Sequence, residues 1–156
     1  MQIVQNRTKR GGIVTEAFLE HVLLFKGLYD RILDPVAQRW SLTRMELDLL
    51  LFLHNNPAHD TAAEAVRLRQ WTKSHVSAAV HSLKARGLLA AQHPDGNRKT
   101  LRLTPLPAAQ PILQEGREAQ RAFFQSMRRG FTPEEELALE AISEKIARNI
   151  RDTMKK

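Results

Sequence analysis

Apolar residues recur at helical spacing through the first and last thirds of the chain. The first series predicts a helix that begins near Thr15 and that Pro35 ends or kinks. Its members are Phe18, Val22, Phe25, Tyr29 and Ile32. The last series predicts a helix to the C-terminus, and its members are Leu139, Ile142, Ile146, Ile150 and Met154. Thr132-Pro133-Glu134-Glu135 combines an N-cap, a proline at the first helical position and a capping glutamate, and so predicts where that helix begins.

Three further helix starts are predicted in the middle of the chain. Thr43 and Glu46 have capping-box spacing, and the helix that they begin is stopped by Asn55-Asn56-Pro57. A short helix from Asp60 or Thr61 to about Leu68 follows, with Thr61 and Glu64 as a second capping box. Thr72 then caps a helix with one buried stripe and a glycine stop at Gly87. The stripe consists of Val76, Ala79, Val80 and Leu83.

The periodicity changes from helical to alternating after Gly87. Leu88 to His93 predicts a strand, residues 94–97 a turn, and Thr100 to Thr104 the returning strand, with Arg98 and Lys99 at the tip. Three prolines then confine the next helix start to the stretch between Pro107 and Pro111, and this helix is expected to reach Gly130.

Two short helices, a tight turn and a hairpin with a basic tip are typical of a winged helix-turn-helix. The predicted fold class is mainly α with a small β-hairpin. The DNA-binding lobe is predicted over residues 43–105, within a single domain that spans 15–156. Residues 15–40 and 107–156 are predicted to form a helical dimerisation region built from the N- and C-terminal helices. Residues 1–14 are predicted to form a flexible basic tail.

Most of the net charge of +7 falls in the middle third of the chain. Residues 58–105 carry eight Lys/Arg against three Asp/Glu, a net +5, whereas residues 1–57 and 106–156 each carry net +1. A basic lobe of this kind is expected to face a polyanion. The helix that begins after Thr72 leaves small polar side chains and one cation outward, which suits entry into a major groove.

The order and spacing of several short runs resemble the MarR family of winged-helix regulators. The resemblance covers about Thr15 to Met154. Its carriers are Leu42-Thr43, Thr61-Ala62-Ala63-Glu64, Thr72-Lys73-Ser74-His75-Val76-Ser77, Leu83-Lys84-Ala85-Arg86-Gly87-Leu88, Asp95-Gly96-Asn97-Arg98-Lys99 and Leu103-Thr104. The chain departs from the pattern at Gln70, where glycine is frequent, and at Ala78, where a larger polar residue is frequent.

The resemblance implies a homodimer whose terminal helices interlock and whose two recognition helices enter successive major grooves of a pseudo-palindromic DNA duplex. It places Arg98 in or beside the minor groove, with Asp95 orienting it through an ion pair. The predicted DNA contacts are Thr72, Lys73, Ser74, His75, Ser77, Ala78, His81, Asp95, Asn97, Arg98 and Lys99. The apolar stripes of the terminal helices independently exceed what one small lobe can cover, which favours a dimer.

Five aromatic residues have two interpretations that the sequence leaves open. Trp40 and Trp71 are expected to pack in the core, or to line an apolar effector pocket of the kind the family often has between its two parts. The pocket set is Phe18, Phe25, Tyr29, Trp40 and Trp71. On the second interpretation, the chain is a repressor that a small apolar or aromatic effector releases from DNA.

Several function classes find no support in the sequence. Cysteine is absent, which excludes disulfides and thiol chemistry. No motif of a hydrolase, phosphate-binding loop or zinc protease occurs, so no enzyme and no cofactor are predicted. His54 and His59 flank a loop near Asp60, but a metal site is not predicted there. No apolar run reaches membrane-span length, and a cytoplasmic location is expected. The alternative function is a winged-helix module that binds protein without reading DNA.

Overall fold

A computed structural model describes residues 13–155, apart from the side chains of 13–15, so most of the predicted basic tail lies outside the described residues. Within these residues, four α-helices precede one small antiparallel sheet, and two more follow it. The α-helices are α1 (Ile13–Arg39), α2 (Arg44–Asn55), α3 (Ala62–Arg69), α4 (Lys73–Ala85), α5 (Gln110–Met127) and α6 (Pro133–Met154). The strands are β1 (Leu89–Gln92) and β2 (Arg102–Pro105), and a 3₁₀ turn at Pro107–Ala109 precedes α5. The predicted mainly α class with one hairpin is confirmed.

The first helix does not end at Pro35, which lies inside α1. Proline removes one backbone N–H and its ring crowds the carbonyl four residues earlier, yet the helix continues for another turn to Arg39. The helix stops at a Schellman arrangement, in which Leu42 N donates to Ala37 O (2.8 Å) and Ser41 N to Gln38 O (3.0 Å). Ser41 takes the left-handed position with φ +54°, which glycine usually occupies.

The predicted helix starts are confirmed at the level of individual hydrogen bonds. Thr43, Thr61 and Thr132 each accept a bond from the backbone N–H three residues on, and the glutamate at that position bonds back. Thr72 caps α4 by accepting from His75 N at 3.2 Å. The end of α3 at Arg69 lies within one residue of the predicted end near Leu68, whereas α5 stops at Met127, ahead of the left-handed Gly130 that was predicted as its end.

The hairpin is shorter than predicted and is joined by a third segment. β1 and β2 pair antiparallel from Leu89 opposite Pro105 to Gln92 opposite Arg102. The loop before α3 extends this sheet, because Leu103 N donates to Asp60 O (2.7 Å) and Ala62 N to Leu101 O (3.1 Å). The hairpin is therefore fixed to the start of the helix pair.

The described residues divide into two compact units, one ending at Arg121 and one beginning at Ala122. The core of the first unit is built from α2 with one face each of α1, α4, α5 and the hairpin. Its most buried members include Leu33, Leu47, Leu50, Leu83, Leu103 and Ile112. Gly116 brings α5 against α2, since a Cβ placed there would lie 2.9 Å from Leu51 Cδ2.

The second unit consists of the end of α5 and α6. Phe123 is buried and lies edge-to-face with Phe124, at 5.2 Å between ring centroids. No residue of α6 is buried, and its whole predicted apolar stripe is exposed. Among the helices of residues 13–155, none combines the length and apolar character that a bilayer crossing needs.

Candidate nucleic-acid interface

The predicted recognition helix is α4, and it divides into a buried and an exposed face as its sequence indicates. Val76, Ala79, Val80 and Leu83 are buried. The predicted contacts on this helix and its cap are all exposed: Thr72, Lys73, Ser74, His75, Ser77, Ala78 and His81. The Thr72 hydroxyl is already engaged, since it caps His75 N and lies 3.2 Å from Ser74 Oγ. The outward face is thus polar, small and singly cationic, with unused backbone donors at its N-terminus.

The turn between α3 and α4 is held by aromatic packing and one left-handed residue. Gln70 has φ +56° and donates from Nε2 to Arg67 O at 2.8 Å. Trp71 lies edge-to-face on the buried ring of Phe52, 6.0 Å between centroids, and the Arg69 guanidinium lies 5.4 Å from that ring's centroid. Gln70 therefore does what the more frequent glycine would do, and the departure noted in the sequence leaves the turn geometry intact.

The wing loop is ordered by Asn97, a residue predicted as a DNA contact. Asn97 Oδ1 accepts from Lys99 N (3.0 Å) and Thr100 N (3.2 Å), while its Nδ2 donates to Thr100 Oγ1 (2.9 Å). His93 Nδ1 donates to Thr100 O at 2.8 Å and closes the neck of the loop. The predicted contacts Asp95, Asn97, Arg98 and Lys99 are all exposed on this loop.

The expected ion pair between Asp95 and Arg98 is not present among the described residues. The wing loop obtains its order from the Asn97 side chain and from a tight turn, in which Asn97 N donates to Pro94 O (2.9 Å) and Gly96 has φ +74°. The salt bridge of the wing lies elsewhere: Arg102 Nη1 is 3.1 Å from Asp60 Oδ2. This salt bridge joins β2 to the loop before α3. Arg98 is exposed at the tip of the wing.

The loop that carries Asp60 also contains a polar cluster at the start of α3. His59 Nδ1 lies 3.0 Å from Glu64 Oε1, and Glu64 Oε2 accepts from the Thr61 hydroxyl and backbone N–H. The bond from His59 and those from Thr61 lower the pKa of the Glu64 carboxyl below its ordinary value. Within residues 13–155, no group of three or more His, Asp or Glu side chains is arranged to hold a metal ion.

The five aromatic residues of the predicted effector pocket occupy different surroundings. Phe18 and Phe25 are about half exposed on α1. Tyr29 accepts from Gln120 Nε2 (2.8 Å), Trp40 Nε1 donates to Glu115 Oε2 (2.8 Å), and Trp71 packs on Phe52. Tyr29 and Trp40 are therefore brought to the same helix, α5.

A cluster of charges on Arg44 fixes the part of α1 that carries Tyr29. Arg44 lies 3.1 Å from Asp30, 2.9 Å from Asp34 and 2.9 Å from Asp48, with its guanidinium 5.0 Å from the Tyr29 ring centroid. Burial raises the pKa of the Asp48 carboxyl despite the opposing attraction of Arg44, so desolvation is the stronger effect there. The hydrogen bond from Lys26 lowers the pKa of Asp30.

Comparison with known proteins bears directly on this winged helix. A sequence profile described as the MarR family matches residues 40–99, which contain α2, α3, α4, β1 and the wing loop. The resemblance to the MarR family is confirmed. Members of the MarR family are transcriptional regulators and not enzymes, as predicted for this chain. No curated protein sequence matches the chain.

Solved structures show that the MarR-family fold extends beyond the matched segment. A MarR-family regulator from Silicibacter pomeroyi is 22% identical with a TM-score of 0.72, over 86% of this chain and 91% of that one. A putative MarR-family regulator from Listeria monocytogenes, complexed with a 26-mer DNA, is 18% identical with a TM-score of 0.76, over 87% and 89%. Bordetella bronchiseptica BpsR, whose DNA binding is regulated by 6-hydroxynicotinic acid, is 22% identical with a TM-score of 0.59, over 83% and 98%.

Two features of the site were not predicted from the sequence. The sequence offered no signal for the guanidinium of Arg86, which bonds the backbone at Trp40 and Ser41, more than 40 residues away. The role of Asn97 as the organiser of the wing had a signal, because asparagine in a turn commonly bonds the backbone two residues on. The resemblance predicts Asn97 only as a DNA contact, together with Arg98 and Lys99.

Proposed function

We propose that this protein is a sequence-specific regulator that binds double-stranded DNA as a homodimer. The observation that carries the proposal is the exposed face of α4 beside an exposed basic wing, both fixed to one core. The hairpin that carries the wing bonds the loop that begins the helix pair, so the wing is held beside the pair that contains α4. A duplex with phosphates on both sides of a major groove is the partner that such a surface fits.

The dimer is supported by apolar surface in each unit, considered separately. On α1, Leu19, Leu23 and Leu24 are each at least 60% exposed. On α6, Ile142 is 56% exposed and Ile150 54%, in a helix without a single buried residue. Contiguous apolar surface of this kind is what a subunit interface covers. A two-fold dimer would also present two α4 helices to a pseudo-palindromic operator.

The DNA test begins with duplexes selected from a random pool and measured by fluorescence anisotropy against a scrambled duplex. Lys73→Ala and Arg98→Ala are each expected to weaken specific binding. Each removes one phosphate contact per chain, so the slope of log affinity against log salt should fall by about 0.9 per chain, or about 1.8 for a dimer. Arg117→Ala, an exposed cation on α5, is the matched control for loss of charge and should leave the slope unchanged.

The outcomes of this test separate the candidate functions. If both variants bind the selected duplex as tightly as the parent, the assigned contacts are wrong. If the parent retains no duplex even at low salt, DNA binding is wrong and the protein-interaction module replaces it. If the selected and scrambled duplexes bind equally well and both are released by salt, the protein binds DNA through its basic surface without recognising a sequence.

The dimer is tested by sedimentation of single-charge variants on α6. Ile142→Glu places a carboxylate in the apolar stripe and is expected to shift the protein toward monomer and to weaken operator binding. Ser143→Glu adds the same charge at the next position, outside the stripe, and should leave the association unchanged. A parent that sediments as a monomer at micromolar concentration would contradict the dimer.

The proposed regulation is release of a repressor from DNA by a small apolar or aromatic molecule. It is supported by the half-buried rings of Tyr29 and Trp40, whose polar atoms already bond α5. BpsR shows that a protein of this fold is regulated by such a molecule. Screening aromatic acids for loss of anisotropy of the selected duplex tests it, with Trp40→Leu expected to blunt the response to any hit.

A further inference from the structure

The end of the recognition helix is bonded to the turn that ends α1. Arg86 follows α4 as its C-cap, and its two terminal nitrogens donate to two successive carbonyls, Nη1 to Ser41 O and Nη2 to Trp40 O, both at 2.9 Å. The guanidinium is planar and presents its donors as a rigid fork, so two bonds fix direction as well as distance. A cation at this position also interacts favourably with the partial negative charge at the C-terminal end of the helix.

The two carbonyls are available because of how α1 stops. The Schellman bonds from Ser41 N and Leu42 N use the carbonyls of Gln38 and Ala37, which leaves those of Trp40 and Ser41 to other donors. Ser41 holds a left-handed backbone at φ +54°, a conformation that costs free energy for a residue with a side chain. The turn is therefore held in a specific shape that one arginine recognises.

The same turn is bonded on its other side to α5. Trp40 Nε1 donates to Glu115 Oε2 at 2.8 Å, and Arg39 pairs with the other carboxylate oxygen of Glu115. Glu115 adjoins Gly116, where α5 approaches the buried Leu51 of α2. A chain of direct bonds thus runs from the end of α4, through the 40–41 turn, to α5.

We propose that Arg86, Trp40 and Glu115 form a positioning relay that sets α4 relative to α1 and α5. The proposal rests on the proposed dimeric DNA-binding function, in which this setting fixes the distance between the two recognition helices. Arg86 lies outside the predicted DNA contacts and acts through the helix that carries them. Because Arg86 is exposed, its bonds contribute little to stability, whereas DNA readout depends on placement to within a fraction of an ångström.

The experiment measures discrimination between half-site separations. The selected operator is compared with duplexes whose half-sites are moved apart or together by one base pair, which shifts them by about 3.4 Å along the axis. Arg86→Lys keeps the charge but loses the fork, and Trp40→Phe keeps a ring but loses the Nε1 donor. Each is expected to reduce the discrimination between separations about fivefold, with the salt slope and unfolding midpoint close to those of the parent. Arg117→Lys is the matched control.

The double variant Arg86→Lys/Trp40→Phe identifies a single relay. If the residues act through one turn, the double variant should lose little more discrimination than either single variant. Fully additive losses would mean two independent contacts and would overturn the relay. A lowered unfolding midpoint with unchanged discrimination would reduce Arg86 to a structural role and would overturn it as well.

A second measurement tests the relay without DNA. The chain has two tryptophans, so Trp71→Phe leaves Trp40 as the only fluorescent indole. In that background Arg86→Lys is expected to shift the emission of Trp40 and increase its quenching by acrylamide, and Glu115→Gln is expected to do the same from the other side of the turn. Unchanged emission would overturn the relay. If the parent protein does not bind duplex DNA but Arg86→Lys still shifts the Trp40 emission, the proposed function is refuted. The hydrogen bonds that link Arg86, the 40–41 turn and Glu115 would then still be supported.

Discussion

Arg102 Nη1 in β2 lies 3.1 Å from Asp60 Oδ2 in the loop before α3, and this salt bridge joins the wing to the start of the helix pair. It stands beside two backbone bonds that link the same segments. The Arg102 side chain is 61% exposed and that of Asp60 36%, so water screens the attraction. The pair is therefore suited to orienting the wing, while the backbone bonds hold it in place.

Arg102→Gln is expected to separate orientation from stability. The free energy of unfolding in urea should fall by less than about 1 kcal/mol, because exposed ion pairs contribute little. Affinity for the selected duplex should fall several-fold, since the wing loses both a charge and its lateral tie. Arg98→Gln removes an equal charge from the wing tip and should leave the unfolding free energy unchanged. A loss of several kcal/mol in Arg102→Gln would instead make the salt bridge a main support of the sheet.

The sequence predicted the features that depend on near neighbours. The three capping boxes and the Thr72 cap each bring together groups three residues apart, so their spacing is visible in the sequence. The division of α4 into two faces follows in the same way from one helical period.

The features that the sequence did not reveal depend on bonds between distant segments or on tertiary context. Arg86 and Ser41 are 45 residues apart, and nothing local indicates their bond. The family resemblance suggested an ion pair between Asp95 and Arg98 within the wing loop. The ion pair that the structure contains joins Arg102 to Asp60, which lies 42 residues away in the sequence. Pro35 shows a similar limit, because local chemistry allowed either an end or a kink there, and α1 continues past it to Arg39.

Gln70→Gly is expected to stabilise the protein. Gln70 holds φ +56°, a conformation that costs a residue with a Cβ about 1 kcal/mol and costs glycine little. The substitution loses the bond from Gln70 Nε2 to Arg67 O, which is exposed and weak. The net gain in unfolding free energy should be about 0.5 kcal/mol, measured by urea denaturation. Gly87→Ala, at φ +68°, is the inverse control and should destabilise. A loss of stability in Gln70→Gly would show that the side-chain bond outweighs the backbone strain.

Gly116→Ala is expected to destabilise the contact between α5 and α2. The added Cβ would lie 2.9 Å from Leu51 Cδ2 and 3.4 Å from Leu47 Cδ1, and both leucines are buried. Overpacking of this kind costs about 1–3 kcal/mol, which exceeds the gain of about 1 kcal/mol that alanine brings to a helix interior. In a Leu51→Ala background the space is open, so the same change should become neutral or stabilising. Equal effects in both backgrounds would mean that Leu51 does not limit the approach of the helices.

The stability of the protein should depend on the ionisation of Glu64 at acid pH. The bonds from His59 and Thr61 lower the pKa of Glu64 from its ordinary 4.5, so the folded state binds this proton less readily than the unfolded chain. The resulting stabilisation is fully present above pH 4.5 and is lost as the pH falls through the lower pKa that Glu64 has in the folded protein. Glu64→Gln retains an acceptor for the α3 cap but cannot titrate, so its unfolding free energy should fall less steeply between about pH 5 and pH 3 than that of the parent. His59→Gln removes the largest cause of the shift and should flatten the same region in part. If the unfolding free energies of the parent and Glu64→Gln fall equally between about pH 5 and pH 3, the bonds to the Glu64 carboxylate do not stabilise the folded protein.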